Sequence, residues 1–508
     1  MTSLLEKIET RQSAVAVIGL GYVGLPLATA FAKAGFRVVG IDADSRKVEA
    51  INEGRSYIPD VPSQVLAALI PSKASAMGIP EDSQAPSFQS SLPNNNGLQP
   101  ARSDQTSQPS RPSGSLSATT DYASLADCDA IFICVPSPFD KHKTPDLTYI
   151  IAASEGVAQL LRPGHLVILQ STTYPGTTEE IVQPILQQGG LKAGHDFHLA
   201  FSPERIDPGN LRWTAENMPK VVGGLTPACT QIAAVLLGQI NPQVHPVSSP
   251  RAAEMAKLLE NIFRIVNIAL VNELALLAER TELDIWEVIE AASTKPFGFM
   301  PFYPGPGVGG HCIPVDPYYL SWKAREYDFT TRFIDLAAEA NQRMPYHVVD
   351  LIAQALEEQG KGLRGAKVLL LGAAFKPNVD DARNSPTERV MSFLMNRKAV
   401  VSYHDPYIPL FEIHPNAFFN GHRLFESVTL TDQMLRSHDC VVILVRHQNV
   451  DYGRVVQQAS LIVDAVNATS GLGKLGSKVI RLGVGRRISA SQSELFPVAA
   501  VTKAVDIA

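Results

Sequence analysis

Residues 14–24 read Ala-Val-Ala-Val-Ile-Gly-Leu-Gly-Tyr-Val-Gly, and this stretch decides the fold. Its first five residues are apolar, which is typical of a strand buried in a parallel sheet. Glycines then permit a tight turn, and a helical pattern follows as far as Ala34. A second apolar strand, Arg37–Asp42, completes a βαβ unit. The opening of the chain therefore predicts a parallel sheet with helices packed on it.

Gly19, Gly21 and Gly24 form a G-x-G-x-x-G pattern between the first strand and the helix. Backbone N–H groups at such a helix N-terminus can bind a pyrophosphate. Asp42 ends the second strand, where its carboxylate can accept hydrogen bonds from a ribose and would repel a 2′-phosphate. The pattern predicts a dinucleotide site that takes NAD rather than NADP. The alternative is a structural turn beside a solvated Asp42.

The alternation of strands and helices recurs on both sides of a mostly helical middle region. Further strands are predicted at Ala130–Val135, Leu166–Gln170 and Phe197–Phe201, and a second α/β block begins with Ala366–Gly372. A long amphipathic helix is predicted over residues 251–280. The fold class is therefore α/β, with two Rossmann-like, doubly wound domains joined by a central helical domain.

We place the first domain at residues 1–215, the helical domain at 216–355, the second α/β domain at 356–484 and a flexible tail at 485–508. Residues 71–117 are rich in Ser, Pro, Gln and Asn. They carry too few large apolar side chains to offset the entropy lost on ordering. This segment is predicted to be a disordered insertion, with a functional tether as the alternative.

Composition narrows the class of protein. The chain has 508 residues and a formal net charge of −6, which argues against nucleic acid as a main partner. The first residues lack a signal-peptide pattern. The apolar stretch Leu258–Ala278 is interrupted by polar and charged residues, so it is predicted not to span a membrane. Five cysteines without an export signal predict a cytoplasmic protein.

Cys312 lies in a loop, Pro304–Asp316, that is too rich in Gly and Pro to form a helix or a strand. Backbone of this kind can approach a ligand closely, and a thiol placed there is predicted to be a nucleophile. The other cysteines lie in apolar runs and are predicted to be core residues: Cys128, Cys134, Cys229 and Cys440.

Polar residues near Cys312 in sequence or on the long helix are further candidates. Lys257 and Asn261 are one turn apart on that helix, where they could bind a water and a developing oxyanion. Taken alone, such a lysine is more often a solvated surface residue. Asp316 could orient Lys257 or a water, or simply cap the loop. His311 could lower the pKa of the neighbouring thiol, although adjacent side chains often point apart.

Two loops that follow predicted strands carry more charge. Glu204 follows the strand that ends at Phe201, where α/β sheets bind their ligands, and is a candidate general base. Lys376 and Arg383 follow the first strand of the second α/β block and could hold a diphosphate. The alternatives are a structural glutamate and an ordinary charged loop.

Taken together, these motifs resemble the UDP-glucose/GDP-mannose dehydrogenase family. The resemblance runs from about Ser13 to Gly483, apart from the insertion. The motifs occur in the family's order, and besides the glycine pattern they are Val135-Pro-Ser-Pro138, Ser171-Thr-Thr-Tyr-Pro-Gly-Thr177, the Glu-x-x-Lys-x-x-x-Asn helix, Gly309-Gly-His-Cys312 and Phe375-Lys-Pro377.

The resemblance implies an NAD-binding domain, a central dimerisation domain and a UDP-sugar-binding domain. It also implies a four-electron oxidation of a C6 hydroxyl to a carboxylate, through a thiohemiacetal and a thioester on Cys312. The product would serve polysaccharide biosynthesis, and a homodimer or higher homo-oligomer is expected, with no metal. The implied catalytic residues are Cys312, Lys257, Asn261, Asp316 and Glu204. The implied NAD-binding residues are Gly19, Gly21, Tyr22, Val23, Gly24, Asp42, Lys47, Pro136, Ser137 and Thr172. The implied substrate-binding residues are Glu204, Arg205, Lys257, Asn261, Gly309, Lys376 and Arg383.

Within the family, residues 294–317 are most similar to the enzymes that oxidise UDP-N-acetylhexosamines, in particular UDP-N-acetylglucosamine. The UDP-glucose enzymes usually have Gly-Gly-Ser-Cys-Phe-x-Lys-Asp at the cysteine, whereas this chain has His311 and Pro314 there. They also carry a second Glu where this chain has Pro208, and an Arg where it has Pro296. These departures favour a pocket shaped for an N-acetyl group and leave open which residues contact the sugar.

Other functions remain as alternatives. The same chemistry could act on UDP-glucose, UDP-N-acetylmannosamine or GDP-mannose. A two-electron hydroxyacid dehydrogenase would need no thiol at Cys312. A non-catalytic nucleotide-sugar sensor would not need Lys257, Asn261 and Cys312 together.

Overall fold

The computed structural model describes residues 3–71, 114–140, 144–206, 212–415, 419, 421–473 and 476–485. The chain divides into two compact units, residues 1–257 and 258–508, and each is described by itself. Most of the predicted insertion, the tail beyond residue 485 and Pro208 lie outside the described residues.

The first unit is built on an eight-stranded sheet with the order β3-β2-β1-β4-β5-β6-β7-β8. Neighbouring strands are parallel except β6 and β7, which are antiparallel. The strands are β1 (Ala14–Ile18), β2 (Arg37–Ile41), β3 (Ser115–Thr119), β4 (Ala130–Ile133), β5 (Leu166–Leu169), β6 (His198–Phe201), β7 (Lys220–Gly224) and β8 (Val244–Val247). The helices are α1 (Leu4–Glu9), α2 (Gly24–Lys33), α3 (Ser45–Asn52), α4 (Ser63–Ala67), α5 (Thr148–Ala158), α6 (Gln183–Leu186) and α7 (Pro227–Gly238).

Side chains of this sheet alternate between two buried faces. Val15 and Val17 of β1 belong to one hydrophobic cluster. Ala16 and Ile18 belong to another. A strand buried on both faces reads as a continuous apolar run, which is why residues 14–18 predicted a parallel sheet. The doubly wound fold is confirmed.

Two predicted limits of the first domain differ from the structure. β3 begins at Ser115, inside the predicted insertion, because Leu116 is fully buried and the strand pairs with β2. β7 and β8 extend the sheet past the predicted boundary at residue 215, because β7 pairs with β6. The sequence predicts a strand only from Ala118 onward, because the first residues of β3 are mostly small and polar. A long connection before β7 concealed the continuation of the sheet into β7 and β8.

Helix α8 (Pro250–Arg280) contains the division between the units. By length and composition alone it could cross a membrane, a test that core helices of soluble proteins also meet. The prediction that polar residues exclude a membrane span therefore does not follow from composition alone. Within the first unit, Ala253 of α8 packs into the sheet's second cluster.

The second unit is built on a five-stranded parallel sheet, with the order β10-β9-β13-β14-β15, and a separate antiparallel hairpin of β11 and β12. The strands are β9 (Lys367–Leu371), β10 (Val400–His404), β11 (Leu410–Ile413), β12 (Arg423–Glu426), β13 (Cys440–Ile443), β14 (Ile462–Asp464) and β15 (Val479–Arg481). The helices are α9 (Ile285–Ser293), α10 (Asp316–Ala324), α11 (Arg332–Glu357), α12 (Pro386–Asn396), α13 (Asp432–Ser437) and α14 (Tyr452–Gln458).

The central helices and the second sheet share one hydrophobic core. Ala275 of α8, Trp286 of α9 and Val348 of α11 belong to the same cluster as Val368 and Leu370 of β9. The helical segment from residue 258 onward therefore packs directly on the second sheet. This contact places the cysteine loop, which lies between α9 and α10, beside the loops of that sheet.

Candidate active site

The glycine turn after β1 has the shape that a dinucleotide needs. A Cβ on Gly24 would lie 1.8 Å from the carbonyl oxygen of Gly19, so a side chain there would break the turn. A Cβ on Gly21 would meet no atom within 4 Å, so the backbone there is open to a ligand. Helix α2 begins at Gly24 and directs its first N–H groups toward this space. Tyr22 is exposed beside it.

Asp42 and Lys47 lie together at the end of β2. Asp42 Oδ2 accepts hydrogen bonds from Leu20 N at 2.9 Å and from Lys47 Nζ at 3.1 Å. Its Oδ1 accepts one bond, from Asp44 N at 2.9 Å. A carboxylate oxygen has two lone pairs, so Oδ1 can still accept a bond from a ribose hydroxyl.

The loops after β4 and β5 meet at the same edge of the sheet. Ser171 Oγ donates a hydrogen bond to Val135 O at 2.8 Å, which ties the two motif loops together. Among the predicted residues of these loops, Pro136 is exposed, Ser137 is buried and Thr172 is half-buried. These loops, the open glycine turn and Asp42 fit a bound dinucleotide.

Glu204 is buried at this edge, in a more crowded setting than the sequence suggested. Its Oε1 accepts hydrogen bonds from Arg205 N at 2.7 Å and Ile206 N at 2.9 Å. Its Oε2 accepts from Gln170 Nε2 at 2.9 Å and Lys220 Nζ at 3.0 Å. Burial raises the pKa of Glu204, but the charge and hydrogen bond of Lys220, with the backbone N–H groups of Arg205 and Ile206, outweigh it, so the pKa lies below the ordinary value. Glu204 is therefore an anion.

This network bears on the predicted role of Glu204 as a general base. Four donors occupy the four lone-pair sites of the carboxylate, so in this arrangement no site is left for a water. A base role would require one donor to move away. Sequence reasoning did not identify Gln170 or Lys220, although a lysine at the head of the apolar run Val221–Gly224 is an unusual start for a buried strand.

Helix α8 is anchored at its start by Glu254. Its Oε2 accepts from Gly176 N at 2.6 Å, and its Oε1 accepts from Thr178 N at 2.9 Å and Thr178 Oγ1 at 2.6 Å. Lys257 follows one turn later and is 8% exposed. Among the described residues no hydrogen-bond or ion-pair partner of Lys257 is present. A buried ammonium is costly unless it is paired, so Lys257 is suited to binding an oxygen of a ligand.

In the second unit, Asn261 of α8 reaches the start of α10. Asn261 Nδ2 donates a hydrogen bond to Asp316 Oδ2 at 2.5 Å, and both side chains are buried. Asp316 N donates to Cys312 O at 2.8 Å, which closes the turn that carries the cysteine. The structure thus brings together Asn261, Asp316 and Cys312.

Cys312 is exposed, whereas the other four cysteines are buried, as predicted. Burial is the main cause that raises the pKa of the Cys128 thiol to about 11 and of the Cys440 thiol to about 12. His311 does not supply a cation to Cys312. Burial, followed by the charge of Arg383, lowers the pKa of His311, so its imidazole is neutral near pH 7. The suggestion that His311 lowers the thiol pKa is not supported.

The cysteine loop rests on the loop after β9, which carries Lys376 and Arg383. A Cβ on Gly309 would lie 2.9 Å from both the Phe375 Cβ and the Asn384 carbonyl oxygen. Gly310 N donates to Arg383 O at 3.0 Å, and Asn384 Nδ2 donates back to Gly310 O at 3.0 Å. The predicted substrate residue Gly309 therefore lies in the cysteine loop, and Arg383 lies beside that loop. Asn384, which completes this contact, was not identified from the sequence.

One group of described side chains could hold a metal ion by position alone: Glu412, His414 and His422. All three are exposed on the β11–β12 hairpin. They lie apart from the cysteine loop in sequence and take no part in the chemistry discussed below.

Models of one protein family match the chain along most of its length. They are the UDP-glucose/GDP-mannose dehydrogenase family NAD binding domain over residues 13–75 and 101–241, its central domain over 251–343 and its UDP binding domain over 369–471. NAD is therefore the cofactor of the first unit.

Individual relatives agree on the chemistry and differ in the sugar. The chain is 35% identical over 396 residues to UDP-N-acetyl-D-glucosamine 6-dehydrogenase of Pseudomonas aeruginosa, covering 78% of this chain and 83% of the relative. It is 33% identical over 450 residues to UDP-N-acetyl-D-mannosamine dehydrogenase of Escherichia coli strain K12, covering 85% and 93%. The structure of UDP-D-ManNAc dehydrogenase from Pyrococcus horikoshii superposes with a TM-score of 0.75 at 30% identity, covering 93% and 99%.

Proposed function

Because the chain belongs to the UDP-glucose/GDP-mannose dehydrogenase family, we propose that it oxidises the C6 hydroxyl of a UDP-N-acetylhexosamine to a carboxylate. UDP-N-acetylglucosamine is the substrate that we favour. The cysteine segment, residues 294–317, supports this choice, as does the similarity to UDP-N-acetyl-D-glucosamine 6-dehydrogenases. UDP-N-acetylmannosamine is the main alternative, because relatives named for it are nearly as similar.

The observation that carries the proposal is the setting of Cys312. It is the exposed cysteine of the chain, and the turn that holds it is bonded to Asp316, which is bonded in turn to Asn261. A two-electron dehydrogenase needs no thiol in such a setting. A nucleophile is needed to retain an aldehyde and carry it to the acid.

In the first oxidation, Lys257 and Asn261 bind the C6 oxygen as its proton leaves. A buried cation and an amide donor stabilise the negative charge that develops on that oxygen. NAD, when bound, accepts hydride from C6 in both oxidations. The glycine turn, Asp42 and Lys47 would hold it, and the Val135–Pro138 and Ser171–Thr177 loops would complete its site.

In the second oxidation, the Cys312 thiolate adds to the aldehyde carbon and forms a thiohemiacetal. Loss of hydride from this carbon gives a thioester. Water then adds to the thioester carbonyl, the C–S bond breaks, the Cys312 thiol is regenerated and the uronate is released. We assign assistance of this water to Glu204 and Asp316. Lys376 and Arg383 bind the diphosphate of the substrate. Arg205 and Gly309 also contact the substrate.

The substrate is tested by NADH absorbance with a panel of sugar nucleotides. The panel contains the UDP derivatives of N-acetylglucosamine, N-acetylmannosamine, N-acetylgalactosamine and glucose, together with GDP-mannose. We expect the highest kcat/KM with UDP-N-acetylglucosamine. Turnover of UDP-glucose without turnover of any N-acetylhexosamine would overturn the substrate class.

We also propose that the protein is a cytoplasmic homodimer whose partner covers the apolar side of α8. Large exposed apolar side chains recur along that helix: Leu259, Phe263, Leu270, Leu274 and Leu277. A second copy of the same helix would bury them symmetrically. Light scattering should show a dimer for the wild type and a monomer for a Leu270→Asp/Leu277→Asp variant. A wild-type monomer at micromolar concentration would contradict this assembly.

A further inference from the structure

Lys220 is a buried charge that the mechanism above does not use. It is the first residue of β7, the strand that runs antiparallel to β6. Because of that reversal, the start of β7 lies at the edge where β5 and β6 end. This geometry brings Lys220 to Gln170 and Glu204, which follow those two strands.

The pair formed by Lys220 and Glu204 is sealed from water. The side chain of Lys220 is 1% exposed and that of Glu204 is 7% exposed, with 3.0 Å between Nζ and Oε2. Removing two charges from water carries a large free-energy cost, so a buried pair is weak evidence for stability. Apolar residues of similar size would fill this place at lower cost. A pair kept at the ligand edge of the sheet therefore indicates a role in the reaction.

Among the described neighbours of Glu204, Lys220 is the cation that sets the ionisation of its carboxyl group. Cys134 faces it from the end of β4, and its Sγ donates to Gln170 Oε1 at 3.8 Å. Burial, followed by the charge of Glu204, raises the pKa of Cys134, so that thiol stays neutral. Arg205 is adjacent in sequence, but its Nη1 donates to the carbonyl oxygen of Pro219 at 3.0 Å.

Building on the proposed function, in which one donor other than Lys220 gives up its bond to Glu204 so that the attacking water can bind there, we propose that Lys220 is a positioning residue that keeps Glu204 ionised and oriented for hydrolysis of the thioester. Without the ammonium, a buried carboxyl takes up a proton at neutral pH. A protonated Glu204 can neither accept a proton from water nor orient one as an anion. Lys220 thereby sets the pH range in which the last step of the reaction runs.

The kinetic test compares Lys220→Met, which removes the charge, with Lys220→Arg, which keeps it. In Lys220→Met the rapid formation of NADH before hydrolysis should survive, while steady-state kcat falls by about 10²-fold. The acidic limb of its kcat–pH profile should move to higher pH, and Lys220→Arg should restore the wild-type limb. An unchanged limb in Lys220→Met, or loss of the rapid phase, would overturn the proposal.

A second measurement needs no substrate. In the wild type the folded protein holds the pKa of Glu204 below its ordinary value of 4.5. The ionised carboxylate therefore stabilises the fold at pH values above 4.5, and this stability is lost as the pH falls. In Lys220→Met the pKa of Glu204 is raised instead, so stability is lost as the pH rises. The gap in Tm between wild type and variant should widen from about pH 5 to about pH 8. A constant gap would contradict the pairing.

The double variant Lys220→Met/Glu204→Gln guards against simple misfolding, because it replaces the pair with neutral side chains of similar size. It should keep a Tm whose gap to the wild type does not change over the same range, and it should hydrolyse the thioester slowly. Wild-type hydrolysis in the double variant would overturn the proposal. If the wild type forms no NADH with any sugar nucleotide, the proposed function fails, whereas the Tm measurements still test the pairing.

Discussion

The loop after β1 in the first sheet and the loop after β9 in the second sheet are held in the same way. Asp42, at the end of β2, accepts a hydrogen bond from Leu20 N at 2.9 Å. Asp405, at the end of β10, accepts from Ala373 N at 2.7 Å and Ala374 N at 2.9 Å. In both sheets an aspartate after the second strand fixes the loop after the first.

The turn itself is also repeated. Gly19 N donates to Ile41 O at 2.7 Å, and Gly372 N donates to His404 O at 2.9 Å. Both glycines have a positive φ, +90° and +103° respectively. Residues with a side chain rarely adopt this backbone conformation, so glycine is required at the same position in each sheet.

The two aspartates differ in what else they bind. Asp405 also accepts hydrogen bonds from Tyr407 N, Ile408 N and His447 Nε2, and its side chain is fully buried. Five donors leave it no capacity for a ligand, whereas Asp42 keeps a lone pair. We therefore propose that this position in the fold binds the cofactor in the first sheet, whereas in the second sheet it only stabilises the structure. The chemistry that we propose for the second unit depends instead on Cys312.

The largest effect should come from removing that chemistry. In Cys312→Ala, uronate formation should fall on the order of 10⁴-fold or more, because the nucleophile is lost. Affinity for NAD, measured by calorimetry, should stay unchanged because the first sheet is untouched. Cys440→Ala is the control, since that thiol is buried in β13. Wild-type uronate formation by Cys312→Ala would contradict the covalent mechanism, because the acid would then form without the thiol.

The next largest effect should separate the two aspartates by stability. Asp405→Asn leaves His447 and several backbone donors poorly matched, which should cost about 3 kcal/mol of unfolding free energy in urea. Asp42→Asn is the matched control and should cost much less, because Asp42 lies nearer to the surface and accepts fewer bonds. Equal losses of unfolding free energy in the two variants would contradict the proposed difference between the two aspartates.

The affinity for NAD should distinguish the two aspartates in the opposite direction, with the larger loss at Asp42. Asp42→Asn should raise the Kd for NAD about tenfold, because a charged hydrogen bond to the ribose becomes a neutral one. It should also narrow the preference for NAD over NADP, because the negative charge that repels a 2′-phosphate is gone. Calorimetric titration with both cofactors measures this. An unchanged Kd would place the ribose away from Asp42.

The smallest effect is expected for Lys47, which extends the same comparison to a partner of Asp42. Its ammonium is partly exposed and 3.1 Å from Asp42 Oδ2. Exposed ion pairs contribute little, so Lys47→Ala should weaken NAD binding only about twofold. A tenfold loss in the same titration would mean that Lys47 contacts the cofactor directly.

The fold and the site could be predicted from the sequence where the residues concerned lie close together along the chain. The apolar run of β1, its glycines and Asp42 lie within 29 residues of one another, and the structure places them as expected. Lys220 escaped notice because its partner Glu204 is brought to it only by the reversal of β7. The start of β3, residues 115–117, is assigned to the insertion from the sequence alone, because small polar residues there form a strand only by pairing with β2. Asp405 resembles any loop aspartate until its five donors are seen.

The central claim is a four-electron oxidation through Cys312, and the ratio of NADH to uronate tests it most directly. Both products are measured in one reaction of the wild-type enzyme with UDP-N-acetylglucosamine and excess NAD, by absorbance and by mass spectrometry. The account predicts two NADH for each uronate, with no free aldehyde. One NADH for each product molecule, with an aldehyde or ketone as the product, would contradict it.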